Sequence, residues 1–332
     1  MSVIIGVYID ESHVSSAAVD SDNLIIAGTY FRTGFDSMAS EKIILKKWAE
    51  VINQTIDVLI ETDIIHPYSL IRIAFSIPGS FKYETGIAMF EGNGEYEALH
   101  NIVVSNRLFD YLSTENISFR LLNNASCLGI GNALNQESNR RNNASCFGVK
   151  RTLAQESVLR GNKIIAITLD NGFGSAFLYG RFPSIKGNNV PDNGSLWDKP
   201  FLDSIADHYF STSWFVNYYE NSSGNKIAGG VKEITDLEND LTIKIFDDFA
   251  YNLSEFLAPY ILDFTPDLLI LGGKIAKSHK FFLSQFQENL KRKNIDLPIS
   301  IIGKTERTSI IGASYLYNDA LWERIKIKLP YF

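Results

Sequence analysis

RLLNNASCLGIGNALNQESNRRNNASCFGVKRTLAQES, residues 120–157, contains one sixteen-residue segment twice. The copies are NNASCLGIGNALNQES from Asn123 and NNASCFGVKRTLAQES from Asn142. They agree at ten of sixteen positions and are offset by 19 residues. A segment present twice is no solenoid, which needs about three stacked units to bury a continuous core. The pattern implies instead that one strand-to-helix turn was copied once, as a local insertion. Apolar ISFRLL (117–122) leads into the first copy, and IIAITL (164–169) with a Gly-containing turn follows the second.

Upstream, VIIGVYI (3–9) is an apolar, β-branched run, and SSAAVD and DNLIIAGTYF read as the next strands of a meander. Its tight turns fall at Asp10-Glu11-Ser12 and Asp20–Asn23. Ile44, Leu45, Trp48, Val51, Ile52, Ile56, Leu59 and Ile60 recur at three-to-four spacing, so residues 40–63 form an amphipathic helix. LIRIAFSI (70–77) is a buried strand stopped by Pro78-Gly79, and a helix is expected near Arg107–Leu112. Downstream, KIIAITL (163–169) and SAFLYG (175–180) make a hairpin across DNGFG. Residues 181–200 are loop, and 201–219 and 241–262 are expected to be helical. PDLLILGG (266–273) and PISIIG (298–303) are strands, and a helix near Ser309–Leu321 closes the chain. Two α/β halves, each opening on strands with a polar or Gly-containing turn, imply two lobes around a cleft. Ligands of open α/β sheets gather at the carboxyl ends of strands. The turns at Tyr8–His13, Asn123-Asn124, Asp170–Gly174 and Gly272-Gly273 are therefore the candidate site.

Bulk properties narrow the function. With 332 residues, 45% hydrophobic and 21% charged, the chain is ordinary for a soluble globular protein of two domains. A net charge of −7 argues against nucleic acid as a partner, since a phosphate backbone calls for a clustered basic face. Cys127 and Cys146 occupy equivalent places in the two copies, so duplication explains them without a disulfide or metal pair. MSVIIGVYID has no basic n-region, and no apolar run approaches the ~20 residues of a membrane span. A soluble, cytoplasmic protein is expected.

The four turns, in their order and spacing, resemble those of the ROK family of sugar kinases and sugar-responsive repressors. GNGEYEALHN (92–101), GSAFLYG (174–180), VPDNGSLWDKPF (190–201) and DHYFSTSWF (207–215) resemble a glucokinase-like branch without a helix-turn-helix. The resemblance covers nearly the whole chain and implies the actin-like ATPase (ribonuclease H-like) fold. It implies an N-terminal lobe of residues 1–122, completed by the C-terminal helix at about 309–332. A second lobe of 123–308 would carry the duplicated segment 123–138/142–157. It further implies ATP with magnesium as cofactor, no zinc, a small sugar as ligand and a homodimer. The family's repressors carry an N-terminal helix-turn-helix, whereas the first core strand here starts at residue 3, so a transcription regulator would have to lack its DNA-binding domain.

Against this pattern the chain departs at several turns together. The family's first phosphate turn, Asp-x-Gly-Gly-Thr, reads Tyr8-Ile9-Asp10-Glu11-Ser12, leaving only the Ser12 hydroxyl. Carboxylates in place of glycines repel an approaching anion. The catalytic Asn-Asp-Ala, whose Asp is general base, reads Asn123-Asn124-Ala125 in one copy and Asn142-Asn143-Ala144 in the other. An amide accepts no proton at neutral pH, so both copies lack the base. The first copy follows its strand directly, while the second lies at about the expected distance from the next turn. The strand favours Asn124 over Asn143 and makes 139–157 inserted length. The second phosphate turn, Gly-Thr-Gly-x-Gly, reads Asp170–Gly174, keeping Gly172 and Gly174, and Gly272-Gly273 resembles the adenosine-side turn. On the sugar side the resemblance points to Asn93, Asn123, Asn124, Ser195 and Asp207. Ser195 and Ala206 stand where acids are expected.

Plainer readings exist for each feature. Read alone, Gly172 and Gly174 are hairpin residues before phosphate ligands, Asp10 and Glu11 are a solvated turn before a weak cation signal, and WFVNYYE (214–220) is a core helix before a dimer face. His13, His100 and His208 have no close spacing that would make a ligand set. The coincidence of losses still favours a sugar kinase homologue with lost or very weak phosphorylation, acting as a sugar-binding or regulatory protein. The alternative is an active hexose or N-acetylhexosamine kinase with a displaced base such as Asp170.

Overall fold

The computed structural model describes residues 3–79, 81–82, 85–90, 95–146, 162–187 and 189–326, with side chains left undescribed from 138 to 146. By its contacts the chain forms two units, residues 1–155 with 306–332, and residues 156–305.

The first unit opens with β1 (Ile4–Ile9), β2 (His13–Val19) and β3 (Phe31–Gly34), followed by α1 (Glu41–Glu61) and β4 (Ile71–Ile77). A small hairpin, β5 (Phe81–Lys82) and β6 (Ile87–Ala88), and α2 (Val104–Leu108) precede β7 (Ile117–Asn123) and α3 (Asn124–Cys146). The sheet order is β3-β2-β1-β4-β7, antiparallel across the meander and parallel across β1, β4 and β7. Parallel strands covered on both faces require nearly continuous apolar runs, and β1 and β4 supply them. The apolar stripe of α1 lies buried as its spacing predicts, with Trp48 fully enclosed.

The second unit repeats this plan. β8 (Lys163–Leu169), β9 (Phe173–Tyr179) and β10 (Phe182–Ser184) form a meander, and β13 (Leu268–Gly272) and β14 (Ile299–Ile301) add in parallel beyond β8. Between β10 and β13 lie the hairpin β11 (Pro200–Phe201) and β12 (Ser204–Ile205), then α4 (Ala206–Tyr209), α5 (Thr212–Ser223), α6 (Gly230–Asp236) and α7 (Asp240–Phe264). Helix α8 (Leu283–Arg292) separates β13 from β14. Phe210, Phe215, Phe246, Phe249, Phe256 and Phe282 are all buried in this unit's core, so Phe215 of the aromatic stretch is a core residue. Helices α9 (Thr305–Ser314) and α10 (Asp319–Ile325) return the chain to the first unit.

Four local expectations are corrected. The third strand begins at Phe31 rather than at Leu24, because the Thr29 hydroxyl accepts from the Ala18 amide and replaces a strand partner there. Residues 200–205 form a hairpin, and helix starts only at Ala206. The closing helix is two, since the Asn318 side chain accepts from Leu321 N and starts α10 afresh. The unit boundary falls near residue 155 instead of 122, because α3 packs within the first unit, against α9.

That contact is backbone on backbone. A Cβ on Gly131 of α3 would lie 1.9 Å from Thr308 O, and one on Gly312 of α9 would lie 1.8 Å from Cys127 O. On the other side a Cβ on Gly6 of β1 would lie 2.4 Å from Ile310 O. Helix α9 is thus set between β1 and α3 at a distance only glycine permits. Gly131→Val is expected to force α3 from α9 and to destabilise by about 1–3 kcal/mol or more. Gly34→Ala, whose Cβ would meet only Ser12 O at 3.6 Å, is expected to stay within about 0.5 kcal/mol of wild type. Urea denaturation of both variants checks this.

Candidate functional site

In the first unit, the carboxyl ends of β1, β4 and β7 bring Ile9, Ser76 and Asn123 to one edge of the sheet. Asn123 starts α3: its Oδ1 accepts from Ser126 N at 2.7 Å, the bond an N-cap makes. Asn124 is buried beside it. Its Oδ1 accepts from Ser76 Oγ at 2.6 Å, and its Nδ2 donates to Ile9 O at 2.9 Å. The amide accepts on one side and donates on the other, whereas an ionised carboxylate in this frame could only accept.

The structure also distinguishes the two copies of the repeat. The first forms the junction between β7 and α3, whereas the backbone of Asn142–Cys146 continues α3 as helix. The glycine that meets α9 is position nine of the first copy, and the second copy carries Lys150 at that position. A lysine there would collide with the Thr308 carbonyl. The Asn143 side chain and residues 147–157 lie outside the described residues, as does Asn93.

The β1–β2 turn is closed around Asp10, which is 2% exposed. Its Oδ1 accepts from Ser12 N at 2.7 Å, Ser12 Oγ at 2.9 Å and His13 N at 2.9 Å. The Ser12 hydroxyl thus donates to the neighbouring carboxylate. The Asp10 carbonyl accepts from the Tyr96 phenol at 2.6 Å. Tyr96 is itself enclosed by Phe35, Trp48 and Phe90 and holds a left-handed φ of 57°. The turn is therefore tied at two successive carbonyls, Ile9 by Asn124 and Asp10 by Tyr96.

In the second unit the carboxyl ends of β8 and β13 bring together Asp170, Gly172, Gly174, Gly272 and Gly273, with Thr168 paired to both Gly174 and Gly272. Asp170 is buried, and its Oδ1 accepts from Lys274 N at 2.7 Å. Its carbonyl accepts from both the amide and the hydroxyl of Thr212. Gly273 has φ +100°, and a Cβ there would lie 2.3 Å from Leu169 O and 2.6 Å from Asp170 Oδ2. Glycine is required at this turn on both counts. Its N–H donates to Thr305 Oγ1.

Asp207 joins the same cluster. Its Oδ1 accepts from Phe173 N at 2.6 Å and would lie 3.3 Å from a Cβ on Gly172. Burial pushes its carboxyl above the ordinary range, and the bond from Phe173 only partly offsets this. Ser195 lies apart, in extended backbone after the Asp192–Gly194 turn. The following segment reaches the cluster through Asp207 N donating to Trp197 O. Among the described residues, no group of three or more His, Cys, Asp or Glu is placed to hold a metal ion, and no helix is long and apolar enough to cross a membrane.

Two residues of this geometry carry no signal in the sequence. Tyr96 lies 86 residues from its acceptor Asp10, and Glu306, which engages His13, lies 293 residues away from it. No periodicity or local motif encodes such pairings.

No protein-family model matches the chain, and no curated protein matches it significantly. Solved structures do. A ROK family glucokinase from Streptomyces griseus, in complex with glucose and AMPPNP, superposes with a TM-score of 0.66 at 14% identity, over 95% of this chain and 99% of that one. A ROK hexokinase from Thermus thermophilus gives 0.68 at 11% identity, over 96% and 99%. A ROK family transcriptional regulator, a homologue of the E. coli MLC protein, gives 0.66 at 11% identity, over 98% of this chain and 81% of that one. What these identities establish is the fold: the chain has the α/β, actin-like ATPase fold found in the ROK sugar kinases.

Proposed function

We propose that the protein is a ROK-type sugar-binding or regulatory protein, descended from sugar kinases, in which ATP-dependent phosphorylation is lost or very weak. The observation that carries this is the hydrogen bonding of Asn124. At the position the resemblance gives to the catalytic base stands an amide, donating to one carbonyl and accepting from one hydroxyl. A carboxylate in the same place would set an oxygen against Ile9 O. The surroundings are built for the amide, so the change is more than the loss of one proton acceptor.

The phosphate turns support the same reading. Phosphoryl transfer depends on donors and cations that stabilise the charge of the transferred group. In the first turn Ser12 N, Ser12 Oγ and His13 N already bind the Asp10 carboxylate. In the second unit Lys274 N binds Asp170, and Phe173 N binds Asp207. The chain's own carboxylates fill positions where a nucleotide phosphate would need free donors. The residues at these turns therefore do not fit a triphosphate, and we derive no step through ATP or magnesium. The proposal includes a small sugar as ligand and a cytoplasmic homodimer.

The second reading, an active hexose or N-acetylhexosamine kinase, rests on the fold shared with the glucokinase bound to glucose and AMPPNP. It requires another base, and the nearest candidate by sequence, Asp170, is buried and bonded to Lys274 N.

ADP release from the purified protein with MgATP, across hexoses and N-acetylated hexosamines, separates the two. No sugar-dependent turnover is expected from the wild type or from Asn124→Asp, whereas turnover by the wild type, abolished in Asp170→Asn, would establish the kinase. Asn124→Asp is also expected to be less stable at neutral pH by about 1–3 kcal/mol, the cost of a buried group facing an unsuitable partner. Its introduced carboxyl, desolvated and facing a carbonyl, would have a raised pKa. The lost stability should therefore return as the pH falls below that pKa, in thermal melts compared with wild type.

A further inference from the structure

His13 is buried at the start of β2, and both of its ring nitrogens face carboxylates. Nδ1 lies 2.7 Å from Asp10 Oδ1, and Nε2 lies 2.7 Å from Glu306 Oε1. A neutral imidazole has one N–H and one lone pair. In this position it would satisfy one carboxylate and turn its lone pair on the other. Only the imidazolium donates to both.

The two carboxylates belong to elements far apart in the chain. Asp10 shapes the β1–β2 turn, and Glu306 lies in the first turn of α9. Glu306 is gripped from several directions. Its Oε2 accepts from Ser15 Oγ at 3.1 Å and from the Tyr30 phenol at 2.5 Å, and its Oε1 accepts from Arg32 Nε at 3.2 Å. The guanidinium of Arg307 covers the Tyr30 ring at 4.5 Å. Around His13 itself stand the Tyr8 ring at 5.9 Å and the Ser12 hydroxyl, 3.2 Å from Nδ1. Glu11 is the next acid of the turn.

We propose that His13, clamped between Asp10 and Glu306, is a pH-sensitive latch that fastens the β1–β2 turn to the start of α9. In the protonated form one cation joins two carboxylates from different elements. When the proton leaves, one bridge opens, and the turn carrying Ser12 loses its charged tie to the helix. This proposal rests on the geometry of the first unit and stands whether or not the protein binds sugar or nucleotide.

The direction of the titrations agrees. Burial alone lowers the His13 pKa, but its hydrogen bonds to Asp10 and Glu306 outweigh burial and raise it above its ordinary 6.5. Burial alone raises the Glu306 carboxyl, but His13, Tyr30 and Arg32 reverse this and hold it down at about 2. A raised His contributes stability that is complete below 6.5 and lost as the pH rises through its folded pKa. A depressed Glu contributes stability that is complete above 4.5 and lost as the pH falls towards about 2. The latch is therefore fully closed from about 4.5 to about 6.5, and alkali opens it at His13.

The test is an NMR titration of the ¹⁵N-labelled imidazoles in the full chain. At pH 6.5 both His13 nitrogens are expected to carry protons, with a titration midpoint above 6.5. In Glu306→Gln the midpoint should fall by about one unit or more, since one of the two facing charges is gone. A neutral tautomer in the wild type at pH 6.5, or an unchanged midpoint in Glu306→Gln, overturns the proposal. If Glu306→Gln does not fold, the wild-type spectrum alone decides between the cation and the neutral ring. As a second measure, the stability advantage of wild type over His13→Gln should shrink as the pH rises from about 6 to about 9. An advantage independent of pH would also overturn the latch.

Discussion

Backbone meets backbone at helix α9, and the first unit depends on that contact. Gly6 on β1, Gly131 on α3 and Gly312 on α9 leave no room for a single added carbon. Closely packed interiors transmit a misfit of one methyl group to everything around it. With α9 held this near, Glu306 on its first turn comes within hydrogen-bond reach of His13, Ser15, Tyr30 and Arg32. The charge network of the first turn is therefore a product of glycine packing. The same packing holds α3, whose first residues, Asn123 and Asn124, cap the helix and tie the carbonyl of Ile9.

Much of the fold is legible in local sequence. The buried runs of β1, β4, β8 and β13, the stripe of α1 and the turns between strands all announce themselves through apolar pattern and polar punctuation. Where the pattern misleads, a side chain has taken a backbone role. Thr29 accepts the bond that a strand partner would have made, and Asn318 restarts a helix that periodicity would have run through. The hairpin at 200–205 is hidden because its four paired residues, Pro200, Phe201, Ser204 and Ile205, are too few to show alternation.

The candidate site is legible in its parts and opaque in its wiring. The four turns were identifiable as strand ends, and the structure gathers Ser12, Asn123 and Asn124 in one unit and Gly172, Gly174, Gly272, Gly273 and Asp207 in the other. The bonds that define their chemistry are long-range. Tyr96 to Asp10, Asn124 to Ile9 and His13 to Glu306 each join residues brought together only by the finished fold. The extra acids of the turns read in sequence as repulsive to anions. In the structure they are also acceptors that satisfy the turns' own amides, so each turn forms a self-consistent set of contacts.

The duplication acquires a different meaning once α3 is seen to run unbroken from Asn124 to Cys146. Nineteen residues advance a helix by a little over five and a quarter turns, so the second copy starts about a quarter turn around the axis from the first. The backbone of Asn142–Cys146 is therefore rotated about the axis relative to that of Asn123–Cys127. Copying the letters did not copy the junction: the first NNASC sits where β7 ends, and the backbone of the second lies inside the helix. The position that must be glycine in the first copy, Gly131, reads Lys150 in the second. One run of letters thus serves once as a strand-to-helix junction and once as backbone within the helix.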